Sequence, residues 1–410
     1  MMASAKPSRI ANASLAPMLP PISAKVRSIR LYYGAYFAAM GLILPFFPLW
    51  LQQQGLNLAT IGIMTGLLAA GKIIAPPIAG WLADHGEGKR LIRMISMSSM
   101  LAALLALLWP WIPFPTLLAA AILLFSLLWA SSLPLADQLA LSISESGHRS
   151  YGRLRAFGSL GFVVASSIGG WVFRGANITT LPWWIAAMML VTAIAGRGFP
   201  QTNLPPHQPH HTNNQPPAGA FGRLITTGFL MQASHGAYYG FFSLYLLQLG
   251  YSSWHIGIYW VIGVLAEVVL MWLASDWLHA SDPRKVLTVC LLLAAVRWVG
   301  IGAVSSWWGL GLLQLLHAAS FAAFHITALV WVQRWAPRNR AASAQGWFSA
   351  TGFGLGSTVG IMGCGWLVKP AGYHAIWWLC AALALAAIPF VLGLPKHHAT
   401  TIAETNNERR

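Results

Sequence analysis

Three ionisable residues lie within long apolar stretches of this 410-residue chain, in which only 8% of residues are charged. They are Glu267, Arg297 and His317. A charge at the centre of a lipid bilayer costs at least about 2.5–3.5 kcal/mol, so such residues usually face a partner or a water-filled path. A carboxyl group next to an imidazole and a guanidinium could bind and release a proton. The trio is therefore a candidate proton site.

The composition is that of a protein embedded in lipid. Hydrophobic residues make up 57% of the chain, and the mean hydropathy is +0.60. A soluble domain instead carries about 25% charged residues. The formal charge of +16 is spread over short basic clusters between apolar stretches, which is a topology signal and not a nucleic-acid-binding patch. The cysteines lie in apolar segments, and we interpret them as small core residues: Cys290, Cys364 and Cys380.

Twelve segments of mostly apolar residues are each long enough to cross about 30 Å of hydrocarbon. Because backbone groups in lipid need internal hydrogen bonds, we predict an all-α polytopic membrane protein with twelve transmembrane helices. The segments are 30–52, 58–82, 91–109, 116–144, 153–173, 180–197, 222–249, 255–277, 286–304, 308–335, 342–367 and 373–394.

The loops between these segments alternate in charge. One side carries nearly all of the basic loop residues, whereas the other has only Arg174 and Lys369. By the positive-inside rule both termini are cytoplasmic, which requires an even number of helices. We therefore expect a multi-pass protein of a bacterial inner membrane.

The second half of the chain repeats the first. Gly41–Gly55 and Gly236–Gly250 share the pattern FFxLxLxQxG, and Ile-Gly-Ile follows each of them, at 61–63 and 256–258. The same offset, about half the chain, relates both matches. Two parallel six-helix halves of this kind are typical of secondary transporters.

The repeat divides the chain into five parts. A cytoplasmic tail, 1–29, precedes the first six-helix bundle, 30–197. A polar stretch rich in Pro and His, 198–221, would be a disordered cytoplasmic linker. The second bundle, 222–394, is followed by a cytoplasmic tail, 395–410.

The loop after the second segment reads GWLADHGEGKR, from Gly80 to Arg90. It resembles the loop signature of the major facilitator superfamily, in which Gly-x-x-x-Asp precedes Arg, Gly and a basic pair. The resemblance implies a cytoplasmic latch between helices, formed by Gly80, Asp84, Lys89 and Arg90. His85 stands where the signature has Arg, and the basic pair comes one place late. An ordinary charged turn is the competing interpretation.

Longer stretches carry a more specific resemblance. They are PLADQLA at 134–140, YGRLRAFGS at 151–159, HGAYYG at 235–240, GVLAEV at 263–268, VRW at 296–298 and LH at 316–317. Together with His325 they resemble the 3-phenylpropionate permease group of the major facilitator superfamily, near relatives of the nucleoside–proton and lactose–proton symporters. The resemblance covers residues 30–394. It implies the major facilitator fold and proton-coupled uptake of a small organic solute such as an aromatic carboxylate.

The resemblance also implies a role for the trio. In lactose–proton symporters, Glu, Arg and His occupy corresponding places on helices 8, 9 and 10. There the carboxylates bind the proton, Arg modulates their affinity, and His contributes to the substrate site. A second carboxylate follows that His by one turn, where this chain has Ser320. Proton binding would therefore rest chiefly on Glu267.

Helix geometry places the trio at one depth. At 1.5 Å per residue, Glu267 lies about 18 Å below the outer end of helix 8, and His317 about 14 Å below that of helix 10. Arg297 lies about 16 Å above the inner end of helix 9. Burial favours the neutral carboxyl group and a guanidinium favours the ionised one, so a Glu that separates from Arg would change its protonation. A static Glu–Arg pair that only joins helices is the alternative.

Other polar residues are candidate substrate contacts. Asp137 lies about 12 Å above the cytoplasmic end of helix 4, and Arg155 about one turn inside helix 5. They could pair as a substrate contact or inner gate, or only tether the two helices. Lys72 holds the repeat position equivalent to Glu267, where it could attract an anionic solute or snorkel to the interface. Helix packing is the alternative for the remaining candidates: His235, Tyr238, His325 and Trp298.

The sequence lacks the signatures of other function classes. It has no Walker-type phosphate loop, metal-ligand spacing or catalytic cluster, so we expect neither an enzyme nor a resident cofactor or metal. The proton gradient would supply the energy. Within transport, a nucleoside or sugar symporter is the alternative, and an efflux permease fits less well. We expect a monomer in the bilayer, with protons and a small solute as partners and no nucleic acid.

Overall fold

The computed structural model describes residues 24–85, 88–145, 151–200, 218–335 and 341–395. Helices dominate these ranges, which contain no β-strand. The predicted C-terminal tail, most of the linker and most of the N-terminal tail lie outside the described residues. The first helix begins at Ala24 and therefore takes in the end of the predicted N-terminal tail.

Six helices form the first half of the molecule. They are α1 (Ala24–Gln53), α2 (Leu58–His85), α3 (Gly88–Leu108), α4 (Pro115–Glu145), α5 (Tyr151–Val172) and α6 (Leu181–Arg197). Short 3₁₀ turns follow α3 and precede α6, at Trp109–Trp111 and Gly175–Thr180.

Within the described ranges, the second half contains nine helices, because several of its spans are interrupted. Its helices are α7 (Ala220–Ala233), α8 (Gly236–Gln248), α9 (Ser253–Ala280), α10 (Pro283–Ala303), α11 (Trp307–Leu315), α12 (Phe324–Trp335), α13 (Ala341–Ser349), α14 (Ser357–Ala386) and α15 (Ile388–Leu392). Two π-helical turns, Ala318–Ala323 and Ala350–Gly356, join α11 to α12 and α13 to α14.

These helices form the twelve predicted spans. The pairs α7–α8 and α11–α12 each make one span, and Gly372, with φ of 79°, divides α14 between the eleventh and twelfth spans. In the described ranges, nine helical stretches are long and apolar enough to cross a membrane, and the longest, Ala344–Leu392, contains two spans. The α5 span and the α7–α8 span complete the set. The predicted all-α fold is confirmed.

The outside of the bundle is apolar. Trp272 is 84% exposed and Trp308 is 75% exposed, among many other large hydrophobic side chains. The inside, in contrast, holds fully buried polar groups such as Arg297 and His235. This inverted distribution fits a bundle whose surface faces hydrocarbon. Every buried charge must then find its partner within the protein.

The internal repeat is visible in the hydrogen bonds that close each half. Ser28 at the start of α1 donates to the carbonyl oxygen of Gly198, which follows α6, at 2.7 Å. Arg223 at the start of α7 donates in the same way to the carbonyl oxygen of Gly393, which follows α15. The partners are 170 residues apart in both cases, and the offset from Ser28 to Arg223 equals that of the sequence repeat. The halves are therefore pseudo-symmetric.

We call the face of the bundle that holds Ala24 and Pro395 the chain-end face, and the opposite face the distal face. The two halves touch at the distal face. A Cβ atom at Gly62 of α2 would lie 2.8 Å from Cα of Gly365 in α14. A Cβ atom at Gly257 of α9 would lie 3.3 Å from Cα of Gly170 in α5. The repeat relates the two contacts, since Gly62 corresponds to Gly257 and Gly170 to Gly365. With no side chains between them, these backbones close the distal face.

Candidate functional site

Glu267 and His317 are in direct contact. Nε2 of His317 lies 2.8 Å from Oε1 of Glu267, and both side chains are largely buried. Gly263, one turn before Glu267 on α9, leaves room for the imidazole, because a Cβ atom there would lie 3.2 Å from Cδ2 of His317. Within the described ranges, this is the one contact at ion-pair distance between an acidic and a basic side chain.

Arg297 reaches Glu267 through His317. Its Nη1 donates to Nδ1 of His317 at 2.9 Å and to Oγ of Ser320 at 3.2 Å, and Nη2 donates to Oε1 of Gln314 at 3.0 Å. A guanidinium has no acceptor, so we assign an unprotonated Nδ1 to His317 and place its ring hydrogen on Nε2, facing the carboxylate. The expected direct Glu–Arg pair is replaced by a carboxylate–imidazole–guanidinium chain.

Aromatic rings enclose the fully buried Arg297 side chain. Its Cζ lies 4.3 Å from the ring centre of Tyr238 and 4.5 Å from that of Trp298. Such cation–π contacts offset part of the cost of removing the guanidinium from water. Trp298 also stacks on Trp377 at a centroid distance of 6.1 Å. In this conformation Tyr238 and Trp298 are packed against the protein, and both rings are covered.

The tenth span is shaped to present side chains to Arg297. Gln314, His317 and Ser320 follow one another at intervals of three residues, and all three contact the guanidinium. The π-helical turn begins directly after His317. A π turn widens the helix by one residue, and such turns are frequent at functional sites.

An aromatic ladder, consisting of His317, Phe321 and His325, continues along the same span. Phe321 stacks on His317 at 5.3 Å and on His325 at 6.4 Å. Phe353, in the π turn of the eleventh span, meets His325 edge-on at 5.0 Å. Phe321, His325 and Phe353 are partly exposed. The ladder therefore places accessible rings beside the trio.

His235 lies at the break between α7 and α8, also next to the trio. Its Nδ1 donates to the carbonyl oxygen of Met231 at 2.8 Å, and its ring centre lies 6.0 Å from that of His317. Nε2 is buried and has no hydrogen-bond partner within the part of the chain that the structure describes. His235 thus directs an unused nitrogen into the same region.

Lys72 points toward the interior of the bundle. The backbone N–H of Gly71 donates to Oγ of Ser126 on α4 at 3.1 Å, while Ile74 is 53% exposed on the lipid side. Successive helical residues rotate by about 100°, so Lys72 lies roughly opposite Ile74. Lys72 is partly exposed, and in the described ranges it forms no hydrogen bond or ion pair. Its ammonium is available to an anion from the interior.

Asp137 and Arg155 do not form the ion pair that we considered. Tyr33 donates to Oδ1 of Asp137 at 2.6 Å. The Arg155 guanidinium instead lies over the ring of Phe37, at 3.9 Å from its centre, and over Tyr33 at 5.5 Å. Tyr33 contacts both side chains and so takes the place of a direct contact. These interactions join α1, α4 and α5, and both charged residues are partly exposed.

The loop motif lies at the chain-end face. Gly80 and Asp84 belong to the last turns of α2, and Lys89 and Arg90 belong to the first turn of α3. Both basic side chains are exposed, and residues 86–87 between the helices lie outside the described ranges. The latch function of the motif stays a prediction.

Sequence reasoning missed three residues that hold the trio in place. Gln314 and Phe321 are within four residues of His317, and Gly263 is one turn from Glu267. A polar Gln in an apolar helix, three residues from a buried His, is a signal that could have indicated Gln314. The role of Gly263 depends on the approach of two helices, which no local pattern reveals.

The comparisons with known proteins agree with this architecture. A family model described as the MFS_1 like family matches residues 26–379. The chain is 26% identical to the "Probable 3-phenylpropionic acid transporter" of Escherichia coli (strain K12), over 88% of this chain and 96% of that protein. It is 24% identical to the maltose permease of Geobacillus stearothermophilus, over 90% of this chain and 94% of that protein.

Solved structures show the same fold. The nucleoside transporter NupG superposes with a TM-score of 0.76 at 16% identity, covering 90% of this chain and 98% of that one. The D-xylose-proton symporter superposes with a TM-score of 0.70 at 14% identity, covering 91% and 98%. The chain belongs to the MFS_1 like family and is a multi-pass membrane transporter, not an enzyme, with the fold of the major facilitator superfamily.

Proposed function

We propose that the protein takes up a small aromatic carboxylate together with a proton, by alternating access. The observation that carries this proposal is the buried chain from Glu267 through His317 to Arg297. Such a chain has a protonatable group at one end and a fixed positive charge at the other. Ionisable residues in the interior of a membrane bundle commonly mark proton relays and substrate pathways.

The proton binds to Glu267 in this scheme. Protonating His317 at Nδ1 would direct an N–H at the guanidinium of Arg297 and break the hydrogen bond between them. The carboxylate has no such conflict, because a protonated carboxyl group can still accept from Nε2 of His317. His317 therefore stays neutral and links the proton site to Arg297.

Charge balance couples the proton to an anion. When Glu267 is ionised, it compensates the charge of Arg297 within the buried chain. When Glu267 is protonated, the positive charge of Arg297 is no longer balanced, and the interior becomes more favourable to an anion. One monocarboxylate restores the balance. Entry of one proton with one monocarboxylate moves no net charge across the membrane.

Side chains from both halves of the molecule suit an aromatic acid. Lys72 of the first half offers an ammonium that has no partner among the described residues, and Phe321, His325 and Phe353 of the second half offer partly exposed ring faces. Ligand sites commonly combine an apolar lining with a few polar groups that fix orientation. The name of the Escherichia coli relative, a probable 3-phenylpropionic acid transporter, agrees with this class.

A neutral polar solute is the second candidate. The maltose permease among the relatives favours a sugar, and a nucleoside would use the same proton site. A neutral solute could accept a hydrogen bond from Lys72 but would not require its charge. The effect of Lys72→Gln, which removes the charge and keeps a donor, therefore separates the two candidates.

Uptake by proteoliposomes tests the proposal. The full chain would be reconstituted, an inward proton gradient imposed, and accumulation of phenylpropionate, a nucleoside and a disaccharide compared. We expect gradient-driven accumulation of phenylpropionate, unaffected by a membrane potential set with valinomycin because the cycle is electroneutral. Accumulation of only the nucleoside or the disaccharide would show that the substrate is a neutral solute and not an aromatic carboxylate. Accumulation driven by the membrane potential alone would contradict the electroneutral cycle.

A further inference from the structure

A basic cavity of about 360 Å³ lies between α3 and α6 at the chain-end face. Lys89 and Arg93 line it from one face of α3, and Arg197, the last residue of α6, lines it from the other side. All three side chains are exposed. None of them forms a hydrogen bond or ion pair in the part of the chain that the structure describes. Three cations thus line one cavity, and no acidic side chain is among its described lining residues.

A buried hydroxyl group also lines this cavity. Ser96 is only 4% exposed, and its Oγ has no hydrogen-bond partner within the described ranges. Gly196 on α6 keeps the space beside it open, since a Cβ atom there would lie 3.2 Å from Oγ of Ser96. Leaving a buried hydroxyl without a partner is costly. A ligand oxygen at this position would satisfy it.

Lipid-facing stripes begin at the edge of the cavity. On α3, Met97 lines the cavity and is 56% exposed, and Leu101 and Leu104 continue the same apolar face. On α6, Ile194 is exposed one turn before Arg197. The site therefore accepts a charged head at the chain-end face and apolar chains along the two helices. That combination matches a phospholipid and not a soluble anion.

The second half of the molecule lacks this arrangement. By the repeat, Arg284 corresponds to Lys89, but Thr288 corresponds to Arg93, Leu291 to Ser96 and Leu392 to Arg197. The positive-inside rule explains an excess of basic residues at one membrane face. It does not explain why three cations and a buried hydroxyl line one cavity in the first half only. The asymmetry indicates a specific ligand.

We infer that the cavity binds the phosphodiester headgroup of an anionic phospholipid. Lys89, Arg93 and Arg197 would neutralise the phosphate, and the Ser96 hydroxyl would donate to one of its oxygens. The acyl chains would lie along Met97 and the apolar face of α3. This site is independent of the proton site and of the transported solute.

Native mass spectrometry of the full-length protein tests the inference, with phosphatidylglycerol and phosphatidylcholine of identical chains as probes. The variant Arg93→Gln/Arg197→Gln removes two cations, and we expect it to weaken phosphatidylglycerol binding roughly 30-fold. Ser96→Ala should weaken it about fivefold. The matched control, Arg284→Gln/Lys285→Gln, removes the same charge from the second half and should leave binding unchanged. Arg93→Lys/Arg197→Lys should keep most of the affinity and show that the site folds.

Three results would overturn the inference. Equal losses in the two double Gln variants would mean that only the general charge of the face attracts the lipid. Equal retention of phosphatidylcholine would exclude recognition of a net negative headgroup. Competition by inorganic phosphate at the same concentration as the lipid would show a site for a soluble anion instead.

Discussion

At the scale of single residues, His317 determines how the members of the trio contact one another. It contacts a carboxylate with one ring nitrogen and a guanidinium with the other, so neither charge meets the other directly. A buried ion pair in direct contact is strongly held, and separating it leaves two unpaired charges. In the proposed cycle, the intervening imidazole would let Glu267 change its protonation while Arg297 keeps its contacts to Gln314 and Ser320. This arrangement suits a proton site better than a static tether.

Lys72 should determine the affinity for an anionic substrate. A charge-assisted hydrogen bond contributes roughly 1.5–3 kcal/mol, so Lys72→Gln should raise the KM for phenylpropionate uptake at least about tenfold. Lys72→Arg, which keeps the charge, should recover most of the affinity. Lys369→Gln removes an exposed lysine and is the matched control. An unchanged KM in Lys72→Gln would mean that the side chain only extends toward the interface.

At the scale of helices, the position of His317 depends on how closely α9 and the tenth span approach. Gly263 permits that approach, because a Cβ atom at this position would lie only 3.2 Å from Cδ2 of His317. The π turn after His317 then sets the direction of the following ring, Phe321. The two features together place the ladder beside Glu267.

Gly263→Ala should weaken the coupling of protons to substrate without lowering the stability of the protein. Ala is favoured over Gly inside a helix by about 1 kcal/mol, so the thermal unfolding temperature should stay constant or rise. The new methyl group would push against Cδ2 of His317, weaken its contact with Glu267 and lower the ratio of protons to substrate in uptake measurements. Gly363→Ala, at a helical position with open space around it, should leave that ratio unchanged. A normal ratio in Gly263→Ala would show that the imidazole position is not critical.

Local patterns predicted the helices and the depth of the trio, because hydrophobic length and helical rise determine both. They did not predict which side chains contact each other. Glu267 and Arg297 were expected to meet, but the approach of α9 to the tenth span inserts His317 between them. In the same way, Tyr33 of α1 takes the place of a contact between Asp137 and Arg155. Which side chain of a third helix enters a gap depends on packing between helices, and no single segment encodes it.

At the scale of the whole molecule, the repeat explains how one face closes. The distal contacts of Gly62 with Gly365 and of Gly257 with Gly170 are copies of each other, one on each side of the interface between the halves. Glycines allow the backbones to approach closely, and such contacts are common between membrane helices. In the proposed alternating-access cycle, these two contacts would separate together.

Larger residues in the two contacts should hold the distal face open. In Gly62→Val/Gly257→Val, the added atoms would occupy space filled by the facing backbone. Spin labels on cysteines introduced at Gln54, directly after α1, and at Gln248, the last residue of α8, should report a longer distance by electron paramagnetic resonance. The native cysteines are buried and would be replaced by Ala. Gly363→Val should not change the distance, and an unchanged distance in the double variant would exclude this gate.

The central claim is that Glu267 binds the coupled proton, and Glu267→Gln tests it most directly. In the same proteoliposomes, we would measure uptake driven by a proton gradient and exchange of labelled for unlabelled substrate without a gradient. The account predicts that Glu267→Gln loses gradient-driven accumulation but keeps exchange, while Asp276→Asn, on the exposed side of α9, keeps both. Full accumulation by Glu267→Gln would contradict the account.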